Sequence, residues 1–172
     1  MADRVGAVTF KGNPLTLQGQ VEIKVGDAAP DFKVASTLTD DVKLSDYKGK
    51  LVLLNVVPSL DTPVCSVQTA RFNKEAKNLG KDVTVLTISA DLPTAQKRWC
   101  DANEVQDVKT ASDYKYHEFG DKFGLVIKEL GVLARTIFVI NRDGKVAYKE
   151  LVKEVSTEPD YDSAIAAVKK LG

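Results

Sequence analysis

The sequence contains little histidine and cysteine, with one and two copies respectively among 172 residues. A zinc site with several histidine ligands is therefore impossible, and these three side chains fall short of the four ligands of a structural zinc site. A Cys–His protease would have to use His117, which we interpret as a surface or packing residue. These counts therefore exclude the usual zinc sites, and the sequence calls for no metal, flavin or haem cofactor.

Net charge and long apolar runs are also lacking. The 24 basic and 24 acidic residues cancel, so there is no electrostatic footprint for nucleic acid. No segment approaches the roughly 20 apolar residues that span a bilayer, and residues 1–6 lack the charged-then-apolar pattern of a signal peptide. We expect a cytoplasmic protein without a nucleic-acid or membrane partner. Its length suits one well-buried domain over residues 1–172.

The hydrophobic pattern predicts an α/β domain. Alternating residues in 7–11 and 15–19 predict an N-terminal β-hairpin. Residues 51–57 form an apolar run typical of a buried strand, and a helix over 66–79 would lead to a parallel strand at 83–89. The other predicted elements are short strands in 31–35 and 105–111, helical turns in 45–49 and 116–123, a helix from residue 91–93 onward, a hairpin of 136–140 with 145–152, and a helix over 161–171.

Cys65 lies where the strand over residues 51–57 gives way to the next helix. Unpaired backbone N–H groups and the helix dipole stabilise a thiolate there, and the thiolate is the nucleophile. Pro58 ends the strand and Pro63 suits the first helical turn. Thr62 is placed to cap the helix or to turn its hydroxyl toward the sulfur. The alternative is an ordinary cap beside a small, inert buried thiol.

Several segments resemble one family. The spacing Pro58-x-x-x-Thr62-x-x-Cys65 resembles the active-site signature of peroxiredoxins, in particular their thiol peroxidase branch. Three further segments resemble that family in the same order along the chain: Val25 to Phe32, Lys97 to Cys100, and Gly131 to Arg135 with the apolar residues 136–140 that follow. The resemblance therefore covers nearly the whole chain.

The resemblance implies a thioredoxin-like three-layer domain with a mixed central sheet and an added N-terminal β-hairpin. It makes Cys65 the peroxidatic cysteine and Cys100 the resolving cysteine of the same subunit, the atypical two-cysteine arrangement. Thr62 would orient the peroxide, Pro58 would shield the sulfur, and Arg135 would supply positive charge. Hydrogen peroxide and alkyl or lipid hydroperoxides would be the substrates, thioredoxin the reductant, and a homodimer the assembly.

The residues alone leave alternatives open. Arg135 precedes an apolar strand, where its permanent charge can lower the energy of a thiolate, but a surface arginine paired with a carboxylate fits as well. Cys100 is either the resolving thiol or an inert core thiol beside Trp99, which we interpret as a packing residue. A thiol–disulfide oxidoreductase normally needs a Cys-x-x-Cys pair, which is absent; a non-enzymatic binding or chaperone-like domain is the other rival.

The two cysteines are predicted to lie on two different helices. A disulfide requires Cα atoms about 4.4–6.8 Å apart. We therefore expect both regions to rearrange or locally unwind when the protein is oxidised.

Overall fold

A mixed β-sheet forms the centre of the structure, a computed structural model that describes residues 3–172. Residues 1 and 2, part of the N-terminal stretch assessed above for a signal peptide, lie outside the described residues. The described strands are β1 Arg4–Phe10, β2 Asn13–Gln18, β3 Lys33–Ala35, β4 Asp41–Lys43, β5 Leu51–Val56, β6 Val83–Ser89, β7 Lys109–Ser112, β8 Val126–Ile127, β9 Val132–Leu133, β10 Thr136–Ile140 and β11 Val146–Leu151. The α-helices are α1 Pro63–Leu79, α2 Pro93–Ala102, α3 Glu118–Phe123 and α4 Tyr161–Leu171, with a 3-10 helix at Leu44–Tyr47.

The central sheet has the strand order β11-β10-β5-β6-β7-β3-β4. Strand β5 runs parallel to β6, and β6 runs parallel to β7, which confirms the predicted crossover through α1. Strand β10 lies antiparallel on the other side of β5, so the sheet is mixed. Every residue of β5 and β10 is buried, as expected for strands with both faces covered.

Two hydrophobic clusters lie on opposite faces of this sheet and define three layers. On one face, Leu51 and Leu53 of β5 pack with Phe72 of α1 and Val168 of α4. On the other face, the neighbouring β5 residues belong to a cluster with α3 and the N-terminal hairpin. Four aromatic rings pack there edge-to-face or stacked, at centroid distances of 4.5–5.6 Å: Phe32, Phe119, Phe123 and Phe138. The predicted three-layer α/β fold is confirmed.

The predicted N-terminal hairpin is present, because β1 pairs antiparallel with β2. Its turn lies at Lys11 and Gly12, both with positive φ (49° and 80°), one residue earlier than the expected centre of the loop. The hairpin extends into a second sheet of order β1-β2-β8-β9. Strands β8 and β9 have only two residues each, too few for an alternating pattern, and they were not predicted.

Helix α1 begins at Pro63, three residues before the predicted start at residue 66. The earlier start places Cys65 third in the helix rather than ahead of it. Helix α4 and strand β6 have the predicted bounds. Strand β7 covers only the last three residues of its predicted segment, 105–111, and extends one residue beyond it. No helix within residues 3–172 combines the length and apolar character that crossing a membrane requires.

Candidate active site

Cys65 lies in the first turn of α1, at the carboxyl end of β5, and its side chain is fully buried. The connecting loop is held to the sheet by the Val57 N–H, which donates to the carbonyl of Ile88 at 3.0 Å. The sulfur packs in a small cluster with Val57, Leu60 and the partly buried Trp99. The first turn of a helix carries N–H groups without intrahelical partners, so this position favours a negative charge on the sulfur.

Arg135 immediately precedes β10, and its side chain reaches Cys65. Its Nη1 donates to Cys65 Sγ at 3.3 Å, and its Nε and Nη2 donate to the carbonyl of Val155 at 2.9 and 2.7 Å. The side chain is 2% exposed, and no carboxylate within residues 3–172 forms an ion pair with it. The surface ion-pair alternative is therefore wrong. A buried guanidinium without a carboxylate stabilises a thiolate beside it.

A chain of buried amides supports Arg135, and the sequence did not point to it. Arg135 Nη1 donates to Gln68 Oε1 at 2.9 Å, and Gln68 Nε2 donates to Asn55 Oδ1 at 2.5 Å. Asn55 Nδ2 in turn donates to the hydroxyls of Thr69 and Thr87, each at 3.0 Å. Because the guanidinium can only donate, Gln68 turns its Oε1 toward Arg135 and its Nε2 toward Asn55 Oδ1. The Asn55 Nδ2 is then left to donate to the two hydroxyls, which can accept as well as donate.

Two signals in the sequence could have revealed this chain. Asn55 is the only polar residue in the apolar run over residues 51–57, and a buried amide needs partners. Gln68 follows Cys65 by three residues and so lies on the same face of α1.

Pro58 and Thr62 line a groove beside Arg135. The groove has a volume of about 420 Å³, and its other lining residues are mostly apolar: Phe10, Ser59, Pro63, Val64, Leu130, Val132, Val155 and Ser156. Pro58 is buried, whereas Thr62 is exposed. The Thr62 hydroxyl donates to the carbonyl of Ser59 at 2.8 Å and forms no helix-capping hydrogen bond. Of the two roles predicted for this hydroxyl, side-chain capping is therefore wrong, although Thr62 occupies the N-cap position. The hydroxyl is not bonded to the Cys65 sulfur in this conformation either.

Cys100 lies apart from this group, in α2. It is half-buried against the cluster of Leu51 and Phe72, on the face of the sheet that α1 and α4 cover, called the helical face below. Burial raises the pKa of the Cys100 thiol above its ordinary value, opposed by a hydrogen bond with Thr110. Both cysteines are free. Trp99 packs against the small Cys65 cluster and against the cluster of Leu51 and Phe72, and its indole Nε1 donates to Ser66 Oγ at 3.0 Å. Its interpretation as a packing residue is confirmed.

His117 is exposed and lies at the start of α3. Its interpretation as a surface residue is confirmed.

Comparison with known proteins agrees with this geometry. The chain matches the family described as Redoxin over residues 24–165. It is 53% identical over 164 residues to a thiol peroxidase of Bacillus subtilis, covering 95% of this chain and 97% of that protein. A thiol peroxidase of Staphylococcus aureus is 50% identical over 164 residues, covering 95% and 98% of the two chains.

Solved structures give the same result. The crystal structure of a peroxiredoxin-like protein from Aquifex aeolicus has a TM-score of 0.90 at 40% identity and covers 98% of this chain and 99% of that one. A thiol peroxidase from Chromobacterium violaceum, at 17% identity, shares the fold, with a TM-score of 0.82 over 95% of each chain. The relatives described above that share about half of its residues are thiol peroxidases. The chain therefore belongs to the redoxin family and is a peroxiredoxin enzyme.

Proposed function

We propose that Cys65 is the peroxidatic cysteine. Its thiolate attacks the terminal oxygen of a hydroperoxide ROOH, the one bonded to hydrogen. The O–O bond breaks and the sulfur becomes a sulfenic acid. The leaving RO⁻ takes up a proton and departs as ROH. The observation that carries this proposal is the contact of 3.3 Å between Arg135 Nη1 and Cys65 Sγ in a buried site. The guanidinium compensates the charge on sulfur and then the charge that develops on the leaving oxygen.

Pro58 and Thr62 would prepare the approach to the sulfur. Pro58 has no N–H and is buried, so it shields the thiolate from water without offering a competing donor. Thr62 bonds to the Ser59 carbonyl in this conformation. Rotation about its Cα–Cβ bond would redirect the hydroxyl toward a bound peroxide, which makes Thr62 the residue that orients the substrate.

Cys100 would resolve the sulfenic acid within the same subunit. As Cys100 attacks the oxidised Cys65 sulfur, its thiol gives up its proton, the S–S bond forms and the S–O bond breaks. The sulfenic hydroxyl leaves with that proton as water. Burial raises the pKa of the Cys100 thiol, which disfavours its thiolate and lowers its own reactivity toward peroxide. This pairing corresponds to the atypical two-cysteine arrangement.

The apolar groove beside Arg135 supports a preference for organic hydroperoxides alongside hydrogen peroxide. A hydroperoxide with an alkyl or lipid chain can lay that chain against Phe10, Leu130 and Val132 while its polar end meets Arg135. Hydrogen peroxide would use the polar end of the groove alone.

Reduction of the Cys65–Cys100 disulfide requires an external dithiol, and we propose thioredoxin in that role. Two electrons pass from the dithiol to the disulfide, which returns to two thiols. We further propose that residues 1–172 act as one domain in a cytoplasmic homodimer.

Mass spectrometry tests the reaction directly. Treatment of the reduced protein with one equivalent of cumene hydroperoxide should remove two hydrogen atoms and yield a Cys65–Cys100 crosslink that thioredoxin reverses. A C100S variant, as the matched control, should stop at the Cys65 sulfenic acid. A crosslink between chains would remove Cys100 from its intrasubunit role, and an unchanged mass would contradict the peroxidatic role of Cys65.

A further inference from the structure

Asp91 lies in the turn between β6 and α2 and binds the loop that precedes Cys65. Its carboxylate accepts hydrogen bonds from Ser59 Oγ at 2.7 Å and from the Leu60 N–H at 2.8 Å. Among residues 3–172, no cation forms an ion pair with Asp91. Its charge is therefore compensated chiefly by donors from this loop and by one neighbouring hydroxyl, and charge-assisted bonds of this kind are strong.

The neighbouring hydroxyl belongs to Ser89 and connects Asp91 to α2. Ser89 Oγ donates to Asp91 Oδ2 at 2.7 Å and accepts from Gln96 Nε2 at 2.9 Å. Gln96 is 1% exposed, also donates to the carbonyl of Ala111 at 2.8 Å, and lies one helical turn before Cys100. One carboxylate and one hydroxyl thus link the Cys65 loop, the end of β6 and the helix that carries Cys100.

A cavity of about 350 Å³ lies between the loop and α2, lined by Ser59, Leu60, Asp61, Asp91, Ala95, Arg98, Trp99, Ala102 and Asn103. Trp99 makes the apolar contact between them, because it packs against Val57 and Leu60, and its indole donates to Ser66 in α1. The Asp91 bonds supply the polar part of the attachment between the two cysteine-bearing segments.

We propose that Asp91 is a positioning residue that holds the Cys65 loop against α2 in the reduced enzyme and thereby slows closure of the disulfide. This inference rests on the proposed Cys65–Cys100 chemistry. The two cysteines pack in different clusters, so we expect closure to move the Cys65 loop relative to α2, and that movement breaks the Asp91 bonds to the loop. While closure is delayed, a second hydroperoxide can oxidise the sulfenic acid to a sulfinic acid and leave as ROH. Asp91 thus sets the ratio of disulfide to sulfinic acid.

The test uses D91N, with D61N as the matched control. Asp61 is exposed in the same loop and lines the same cavity, and its carboxylate accepts no hydrogen bond from the described residues. Stopped-flow fluorescence of Trp99, the only tryptophan of the chain, separates the peroxide step from disulfide closure. Mass spectrometry measures the sulfinic acid formed with excess hydroperoxide.

In D91N, closure should be roughly tenfold faster, the scale of one charge-assisted hydrogen bond, and sulfinic acid should fall in proportion. The peroxide step should slow several-fold, because the loop is no longer fixed. A general loss of structure would slow both steps, so opposite changes distinguish positioning from mere stability. D61N should show the wild-type rate in both the peroxide step and disulfide closure.

Closure in D91N at the wild-type rate would overturn the proposal while leaving the Cys65–Cys100 chemistry intact. Absence of the crosslink in the wild type would overturn both the role of Asp91 and the Cys65–Cys100 chemistry. If D91N fails to fold, S59A decides, because it removes one donor and leaves the carboxylate in place. It should close several-fold faster than the wild type, and an unchanged rate would refute the role of Asp91.

Discussion

Arg135 carries the charge of the site, and its geometry distinguishes it from a lysine. Its planar guanidinium donates simultaneously to Cys65 Sγ, Gln68 Oε1 and the Val155 carbonyl, whereas the compact ammonium of lysine cannot span these acceptors in one plane. In R135K, the second-order rate of Cys65 with hydrogen peroxide should fall about 100-fold, the scale of one lost electrostatic donor. Stopped-flow kinetics measure this rate. R142K, at an exposed arginine, is the control, and a wild-type rate in R135K would contradict this account.

Gln68 is neutral where a carboxylate would compete with the sulfur for Arg135. In Q68E, a negative charge would lie about where Oε1 now accepts from Arg135 at 2.9 Å. We expect the rate of Cys65 with peroxide at pH 7 to fall roughly tenfold, because the buried carboxylate draws the guanidinium charge away from the thiolate.

Two further variants separate charge from lost hydrogen bonding at this position. Q68M keeps the approximate volume but breaks the amide chain, so it should slow the reaction less than Q68E does. Q106E introduces the same charge at an exposed position and should react at the wild-type rate. Equal slowing in Q68M and Q68E would mean that orientation, not charge, is what Gln68 provides.

At the scale of elements, the N-terminal hairpin is fastened to the segment that holds Arg135. Glu154 accepts hydrogen bonds from Thr9 Oγ1 at 2.6 Å, from the Lys11 N–H at 2.7 Å and from the Gly12 N–H at 3.2 Å. The next residue, Val155, presents its carbonyl to Arg135. The hairpin turn and Arg135 are thus held by adjacent residues, Glu154 and Val155.

These hydrogen bonds, with one from Ser156, lower the pKa of Glu154 from 4.5 to about 2. Because the pKa is depressed in the folded state, the stabilisation is complete above pH 4.5 and is lost as the pH falls toward 2. In E154Q, the midpoint of thermal unfolding should therefore lie below that of the wild type at pH 7. The difference should shrink between pH 4.5 and 2. E104Q, at an exposed glutamate, should show no such pattern, and a constant difference for E154Q would contradict this origin.

Secondary-structure elements were predicted correctly where a local sequence pattern specifies them. Strands β5, β6 and β10 have apolar runs, and the hairpin of β10 and β11 has a turn sequence, so each was found. Strand β8 depends on pairing with β2, and β9 depends on pairing with β8; only the folded chain provides these pairings.

The site shows the same limit. The motif predicted Cys65, Thr62 and Pro58 locally, and resemblance predicted Arg135 and Cys100. The partners Gln68, Asn55 and Asp91 come together through contacts across 13 or more positions in the chain. The sequence marks Asn55 and Gln68 as unusual but does not show which residues they meet.

At the scale of the whole molecule, the two sulfurs lie in differently supported regions around a rigid sheet. Cys65 packs with Val57 and Leu60, whereas Cys100 packs with the cluster of α1 and α4 on the helical face. Trp99 contacts both clusters. Strands β5 and β10 are fully buried and cannot shift without disrupting both layers. We therefore expect any movement that brings the sulfurs together to occur in α2, in the first turn of α1 and in the loop that precedes it.

Hydrogen exchange in the reduced and peroxide-oxidised protein should localise this movement. We expect amides in α2 and at the start of α1 to lose protection on oxidation, because their helical bonds must open to bring two Cα atoms within disulfide range. Amides of β5, β6 and β10 should exchange at the same rate in both states, and C100S treated identically should show no loss in α2. Unchanged exchange rates in both helices of the crosslinked wild type would mean that the disulfide forms without rearrangement of α1 or α2. Loss of protection in β5 would mean that the central sheet also changes conformation.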